Sequence, residues 1–364
     1  LVFLLFPALL FLFEIYFTIK NVEIYSKIFS NKKLFFYKMK ILYITHLNKN
    51  TTNLNDTIHD SVLHGLREIY DNNVIDYPGA WYMYKEEVEK RNFDIKSLWG
   101  SGFTYYDLLS NYEQIDRTDI KNKVINNYFD IIIFGSVRRS TRLFEEATNS
   151  KSKIIFIDGE DYVHINDRIL NKGIYFKREL ITNKYKSVYP INCCIPKKKI
   201  IHKINVNTKH ILAPLIPHRY STYIYLNEKD YYKMWQDSIF GLTYVHGGWW
   251  EAVRYYEMLM NDCIPLIMNI DKCPEKTLTK LPKKLLFDIF NQYSWILNKY
   301  FPISIYKKKF LSIKKFYLYF NYLFKKNHTC YSFINDYPEV IQIKEKLLQY
   351  TKDNLTTEHI AKNM

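Results

Sequence analysis

Arg254 and Glu257 stand three positions apart in GGWWEAVRYYEMLMNDCIPLI, residues 247–267. Of all pairs in the chain, these two have the types and spacing that best suit an anionic ligand. The segment reads as a glycine turn, a helix of about four turns, a Cys-Ile-Pro stop and an apolar strand. Gly247 and Gly248 allow close approach to the backbone. A helix starting there would offer its unsatisfied amides and the positive end of its dipole to an anion. An arginine can donate a fork of hydrogen bonds to phosphate, and a glutamate can accept both hydroxyl protons of a ribose cis-diol. The competing reading is a surface ion pair. Arg before Glu is the poorer orientation for that, and it opposes the helix dipole for both charges. Trp249, Ala252, Val253, Tyr256 and Met260 recur at helical spacing and form the expected core face.

Asp158, Glu160 and Asp161 close the apolar run of IFIDGEDYVHI. Strand C-termini in open α/β sheets point into the ligand crevice, so these acids are candidate general bases. A polar strand cap is the alternative, and a divalent-metal site is a weaker one, so no metal is expected. His46, at the end of the first apolar run, is a second base candidate. Lys177 and Arg178 in YFKREL could meet a diphosphate across a cleft, or lie on a solvated helix face. Arg138 and Arg139 after DIIIFGSV stand at another strand end. WGSGF, residues 99–103, has two glycines and no third, so it reads as a turn.

These side chains need elements to position them. From Met39 onward, short apolar runs alternate with amphipathic stretches, as in βαβ architecture. KILYITHL (40–47), NVIDYP (73–78), DIIIFGSV (130–137) and KIIFIDGED (153–161) read as strands of a doubly wound sheet. TIHDSVLHGLREIY (57–70) is a helix, with Ile58, Val62, Leu63, Leu66 and Ile69 at its spacing. Residues 190–206 look like a crossover. HILAPLIP (210–217) opens a second unit, and YYKMWQDSIFGLTYV (231–245) gives a helix and a strand. The expected organisation is two Rossmann-like domains facing a cleft, 39–205 and 206–300. A helical basic tail, 301–364, follows.

Net charge is +15. Lys307, Lys308, Lys309, Lys314, Lys315, Lys325 and Lys326 concentrate part of it among aromatics. Peripheral membrane contact and a solvated face both fit this pattern, and no nucleic-acid fold signature accompanies it. There are five cysteines and no C-x-x-C, so neither a zinc site nor a disulfide framework is expected. Reduced thiols point to the cytoplasm. Residues 1–38 begin with a nearly continuous apolar stretch containing Pro7 and Glu14. A membrane anchor, a leader upstream of a start at Met39, and an extra packed helix remain open.

SIFGLTYVHGGWWEAVRYYEMLMNDCIPLIMNID, residues 238–271, resembles the C-terminal motif of exostosin-type glycosyltransferases. Arg254, Glu257, Leu259, Cys263, Ile264, Pro265 and Ile267 fall at matching positions, and Asp271 follows. Met258 stands where Ala is usual. Asp262 stands where Gly is usual, and Asp takes up a left-handed turn less freely. The resemblance covers about a tenth of the chain. Separately, the organisation of the whole chain is similar to bacterial glycosyltransferases of the two-Rossmann, GT-B type, which would give 39–205 to the acceptor and 206–300 to the donor. The motif's resemblance implies a nucleotide-diphosphate sugar as donor, bound by Arg254 and Glu257 with its diphosphate near Gly247 and Gly248. A glycan or lipid-linked hydroxyl would be the acceptor, no cofactor would be needed, and surface polysaccharide assembly would be the setting. The rivals are a non-catalytic nucleotide- or sugar-phosphate-binding protein and a basic membrane-associated protein that binds anionic lipid or nucleic acid.

Overall fold

The computed structural model describes residues 39–48, 54–217, 219–244, 250–299 and 330–364. The apolar N-terminal segment, Gly247, Gly248, Trp249 and the lysine cluster at 307–326 lie outside the described residues.

Short runs of β-branched and aromatic residues build the first sheet. Its strands are β1 (Ile41–Ile44), β2 (Val74–Tyr77), β3 (Ile131–Phe134), β4 (Lys153–Asp158), β5 (Ile174–Lys177) and β6 (Val188–Pro190). All are parallel, in the order β2-β1-β3-β4-β5-β6. The chain steps outward from β1 to β2 and then returns to its other side as β3, which makes a topological switch point. Leu42, Ile132, Phe156 and Ile157 are completely buried, as expected for parallel strands covered on both faces. Full burial of such a side chain contributes about 1.5–3 kcal/mol.

Helix α1 (Thr57–Tyr70) has the span its periodicity predicts. Asp56 caps it by accepting from the amides of Ile58 (3.1 Å) and His59 (3.2 Å). Short helices α2 (Lys85–Lys90), α3 (Ile120–Ile125) and α4 (Phe144–Asn149) complete this half.

The second sheet holds β7 (His210–Leu212), β8 (Ser238–Tyr244) and β9 (Ile264–Met268), parallel in that order. Around it lie α5 (Glu228–Gln236), α6 (Val253–Met260), α7 (Lys283–Tyr293), α8 (Cys330–Asp336) and α9 (Glu339–Asn354). The whole is an α/β protein with a six-stranded and a three-stranded parallel sheet, compatible with Rossmann-like arrangements.

After α9, the chain returns to the first half. Thr357 N–H donates to Ile195 C=O at 2.9 Å, and α10 (Thr357–Lys362) packs on α1. The crossing is close at Gly65, where a Cβ would stand 2.1 Å from the Thr357 carbonyl oxygen.

Two elements differ from the sequence expectation. The helix in 247–267 spans eight residues, not four turns. Ala252 is extended (φ −138°, ψ 133°), and the amides of Trp250 and Glu251 are bound instead by the Glu179 carboxylate at 3.1 and 2.9 Å. Those bonds to the first half replace the helical turn. YFKREL is not a helix either. Ile174–Lys177 form β5, and Lys177 lies in register with Asp158 of β4. A four-residue strand bounded by Gly173 and charged residues carries too little periodicity to announce itself.

Candidate functional site

The segments that follow β3, β4 and β5 face those that follow β7 and β8 across a cleft. Two cavities lie in it, of about 360 and 430 Å³. Thr57, Trp99 and Val253 line both, so they adjoin.

Glu257 lines the larger cavity from α6 and is only 5% exposed. Thr104, from the first half, donates its hydroxyl to Oε1 at 2.6 Å. Tyr231 of α5 donates to Oε2 at 2.8 Å. Burial pushes the carboxyl up from its ordinary range, while the two hydrogen bonds and Arg254 pull the other way. Each carboxylate oxygen carries a second acceptor site, so a bound diol could still be received.

Arg254 sits in the first turn of α6, half-buried on the same cavity. Nη1 lies 3.4 Å from the Tyr223 hydroxyl, and the guanidinium sits 5.4 Å from that ring's centroid. Its Nε has no hydrogen-bond partner among the described residues. No ion pair joins it to Glu257 among those residues, so the two charges remain separately available. Gly247 and Gly248, the expected diphosphate turn, lie outside the described residues.

The smaller cavity is the more polar of the two. Glu160, Asp161, Arg139, Arg178, Asp56 and Cys193 are among the residues that line it. Arg139 Nε donates to Glu160 at 2.6 Å, and Arg178 Nη1 pairs with Asp161 at 2.5 Å. Arg178 also donates to the carbonyls of Gly159 (3.2 Å) and Glu251, which fastens the acidic loop to the segment before α6.

Asp158 is placed differently from its two neighbours. It is completely buried, and its oxygens receive Lys177 Nζ (2.9 Å), Arg138 Nε (2.9 Å) and the Tyr175 hydroxyl (2.5 Å). Lys177, also fully buried, spends a second donor on the Glu160 carbonyl at 2.9 Å. Burial lowers its pKa, and Asp158 partly restores it. This pair braces the acidic loop from beneath and lines neither cavity among the described residues. His46 is 4% exposed, with its ring edge-on to His59 at 5.1 Å. Burial, and then the neighbouring His59, lower its pKa to about 4.

Behind the cleft, Glu251 is fully buried, with the Tyr256 hydroxyl and Asn192 Nδ2 (3.1 Å) as donors. Burial raises its pKa to about 7. Nothing in the sequence singles out Thr104, Tyr231, Glu179 or Glu251. Thr104 reaches Glu257 across 153 positions, and no periodicity reports such a contact.

No group of His, Cys, Asp and Glu among the described residues is arranged to hold a metal ion. No helix among them is long and apolar enough to cross a membrane. The chain matches no protein-family model and no curated protein.

Proposed function

We propose that this chain is a glycosyltransferase of the GT-B type, moving a sugar from a nucleotide-diphosphate donor to a hydroxyl acceptor. One observation carries the reading. A buried carboxylate, Glu257, lies on the wall of a cleft shared by both halves, one turn from a half-buried arginine with an unpaired donor.

In this reading Glu257 accepts the ribose hydroxyls and Arg254 takes the diphosphate. Arg178 and Arg139 add positive charge across the cleft. As the acceptor oxygen bonds to the sugar's anomeric carbon, the bond from that carbon to the diphosphate breaks. The acceptor proton passes to Asp161 or Glu160, and the leaving diphosphate stays neutralised by the arginines. Lys177 and Asp158 hold the acidic loop in place. Surface glycan or polysaccharide assembly at the inner face of a membrane suits the basic composition and the apolar start of the chain.

A thermal-shift series with nucleoside diphosphates and their sugars tests donor binding, since a true ligand stabilises by about 2.7 kcal/mol at a hundred times its Kd. E257A should abolish donor hydrolysis and transfer with the fold intact. Unchanged turnover in that variant would remove Glu257 from its role.

One observation favours a non-catalytic nucleotide-sugar-binding protein instead. All three acids of the loop are ion-paired to basic side chains. That reading predicts the thermal shift without hydrolysis or transfer.

A further inference from the structure

Trp99 is the feature of the cleft that neither the Glu257 pocket nor the acidic loop accounts for. The residue is 84% exposed. Its backbone, by contrast, is held at both ends. Trp99 N–H donates to Asn55 Oδ1 at 3.1 Å, and Asn55 Nδ2 donates to the Trp99 carbonyl at 3.1 Å. Asn55 Nδ2 also reaches the Tyr106 hydroxyl at 2.7 Å, which in turn donates to Asp60 at 3.1 Å. Asp60 is fully buried and receives Tyr82 (2.7 Å) and His59 (2.8 Å) as well. Beyond Trp99 the chain turns through Gly100, Ser101 and Gly102 at φ 70°, 58° and 68°. At Gly102 a Cβ would stand 2.3 Å from the Ile95 carbonyl oxygen, so the turn accepts no larger residue there. A solvent-facing indole therefore stands on a fixed support.

That indole lies where the two cavities meet. An exposed aromatic face beside carboxylates and guanidinium groups matches a ring with an apolar face and a polar rim. A pyranose is such a ring. Its C–H face packs on the electron-rich face of an indole, while its hydroxyls reach Glu160, Asp161 and Arg139 in the polar cavity. A nucleobase is the other ring to consider. Tyr223, Tyr225 and Tyr231, from the second half, already offer aromatic surface to it beside Glu257.

We infer that Trp99 is the stacking platform for a pyranose acceptor. The word acceptor rests on the glycosyltransferase reading; a pyranose subsite at Trp99 does not.

Saturation-transfer NMR separates the two. The full chain, W99A, W99F and E257A are each mixed with a set of methyl pyranosides and, separately, with UDP and GDP. The inference expects pyranoside signals with the wild type and E257A, weaker signals with W99F and none with W99A. Nucleotide signals should persist in both Trp99 variants. Pyranoside signals unchanged in W99A, or absent from the wild type, overturn it. So does loss of the nucleotide signal in W99A, which would make the indole a nucleobase platform. If the wild type binds pyranosides through Trp99 and no nucleotide, the subsite stands and the donor reading falls.

Discussion

Thr104 Oγ1 lies 2.6 Å from Glu257 Oε1, so a residue of the first half holds a carboxylate carried by the second. The same hydroxyl lies 2.7 Å from that of Tyr232, and the Thr104 amide donates to Glu228 at 2.7 Å. Lys199 pairs with Glu228 in turn. The cleft is therefore closed at its base by a hydrogen-bonded seam. Thr104 holds φ 80° within that seam, a region β-branched residues rarely enter. Such a conformation costs on the order of 1–3 kcal/mol and persists where the surroundings over-determine it.

Replacing Thr104 separates bonding from strain. T104V keeps the strained backbone but leaves Glu257 without one donor, and it should lose about 1–3 kcal/mol. T104G loses the same hydroxyl and relieves the strain, so its urea midpoint should lie above that of T104V. Equal midpoints for T104V and the wild type would mean that the seam adds nothing to stability.

Asp262 offers a second test, at the turn between α6 and β9. It adopts φ 64°, the left-handed conformation that glycine would supply without strain. Its carboxylate pairs with Lys344 of α9 at 2.8 Å, both side chains being fully buried, and accepts from the Asn205 amide at 2.7 Å. The side chain thus anchors the returning C-terminal helices as well as the turn. K344M should cost about 3–5 kcal/mol by leaving a buried carboxylate unpaired. D262G orphans the lysine and should cost a similar amount. The double variant D262G/K344M should recover most of the loss in denaturant unfolding. Additive losses would instead mean that the two groups act independently.

How much of this was legible beforehand follows from the range of each interaction. Helix α1 was readable because five apolar residues at helical spacing are a local signal; the Asp56 cap emerged only with the structure. β3 and β4 were readable as apolar runs between turn residues. β5 was not, because its strand character comes from pairing with β4 rather than from its own four residues. The late start of α6 was hidden for the same reason. Glu179, some seventy positions upstream, binds the amides that a longer helix would have used. The chemical type of Arg254 and Glu257 could be seen in the sequence, whereas the hydroxyls that hold Glu257 could not. Nor could the sequence distinguish Asp158 from Glu160 and Asp161. Three acids in four positions look alike until the strand register sets one beneath the sheet's end.

Glu251 predicts a pH dependence. Its folded pKa of about 7 lies above its ordinary value of 4.5, so the folded protein holds a proton that the unfolded chain releases. The resulting stability is fully present below about pH 4.5 and is lost as pH rises through about 7, a change on the order of 3 kcal/mol. Glu179, also raised by burial, acts in the same direction. E251Q should remain uncharged throughout and flatten this part of the profile. Urea midpoints at pH 5 and pH 8 measure it. Buried His46 and His64, lowered to about 4 and about 3, shift stability the opposite way, so the sign is read from the difference between wild type and E251Q; a difference that fails to shrink from pH 5 to pH 8 would contradict it.

The acidic loop yields the prediction that bears most directly on chemistry, because its three carboxylates occupy different surroundings. Asp158 holds the fully buried Lys177 and the inward-turned Arg138. D158N should cost about 3–5 kcal/mol, since it strands a buried ammonium group. Glu160 and Asp161 face the polar cavity, and each has a single arginine partner that solvent also reaches. E160Q and D161N should stay within about 0.5 kcal/mol of the wild type. If one of them removes the acceptor proton, that variant alone should lower transfer by about 10²–10⁴-fold while the donor still binds. Transfer rates, donor thermal shifts and urea midpoints for the three variants separate the roles. A D158N variant that folds normally and fails only in transfer would move the base beneath the sheet's end. Full transfer by both E160Q and D161N would take the proton away from this loop.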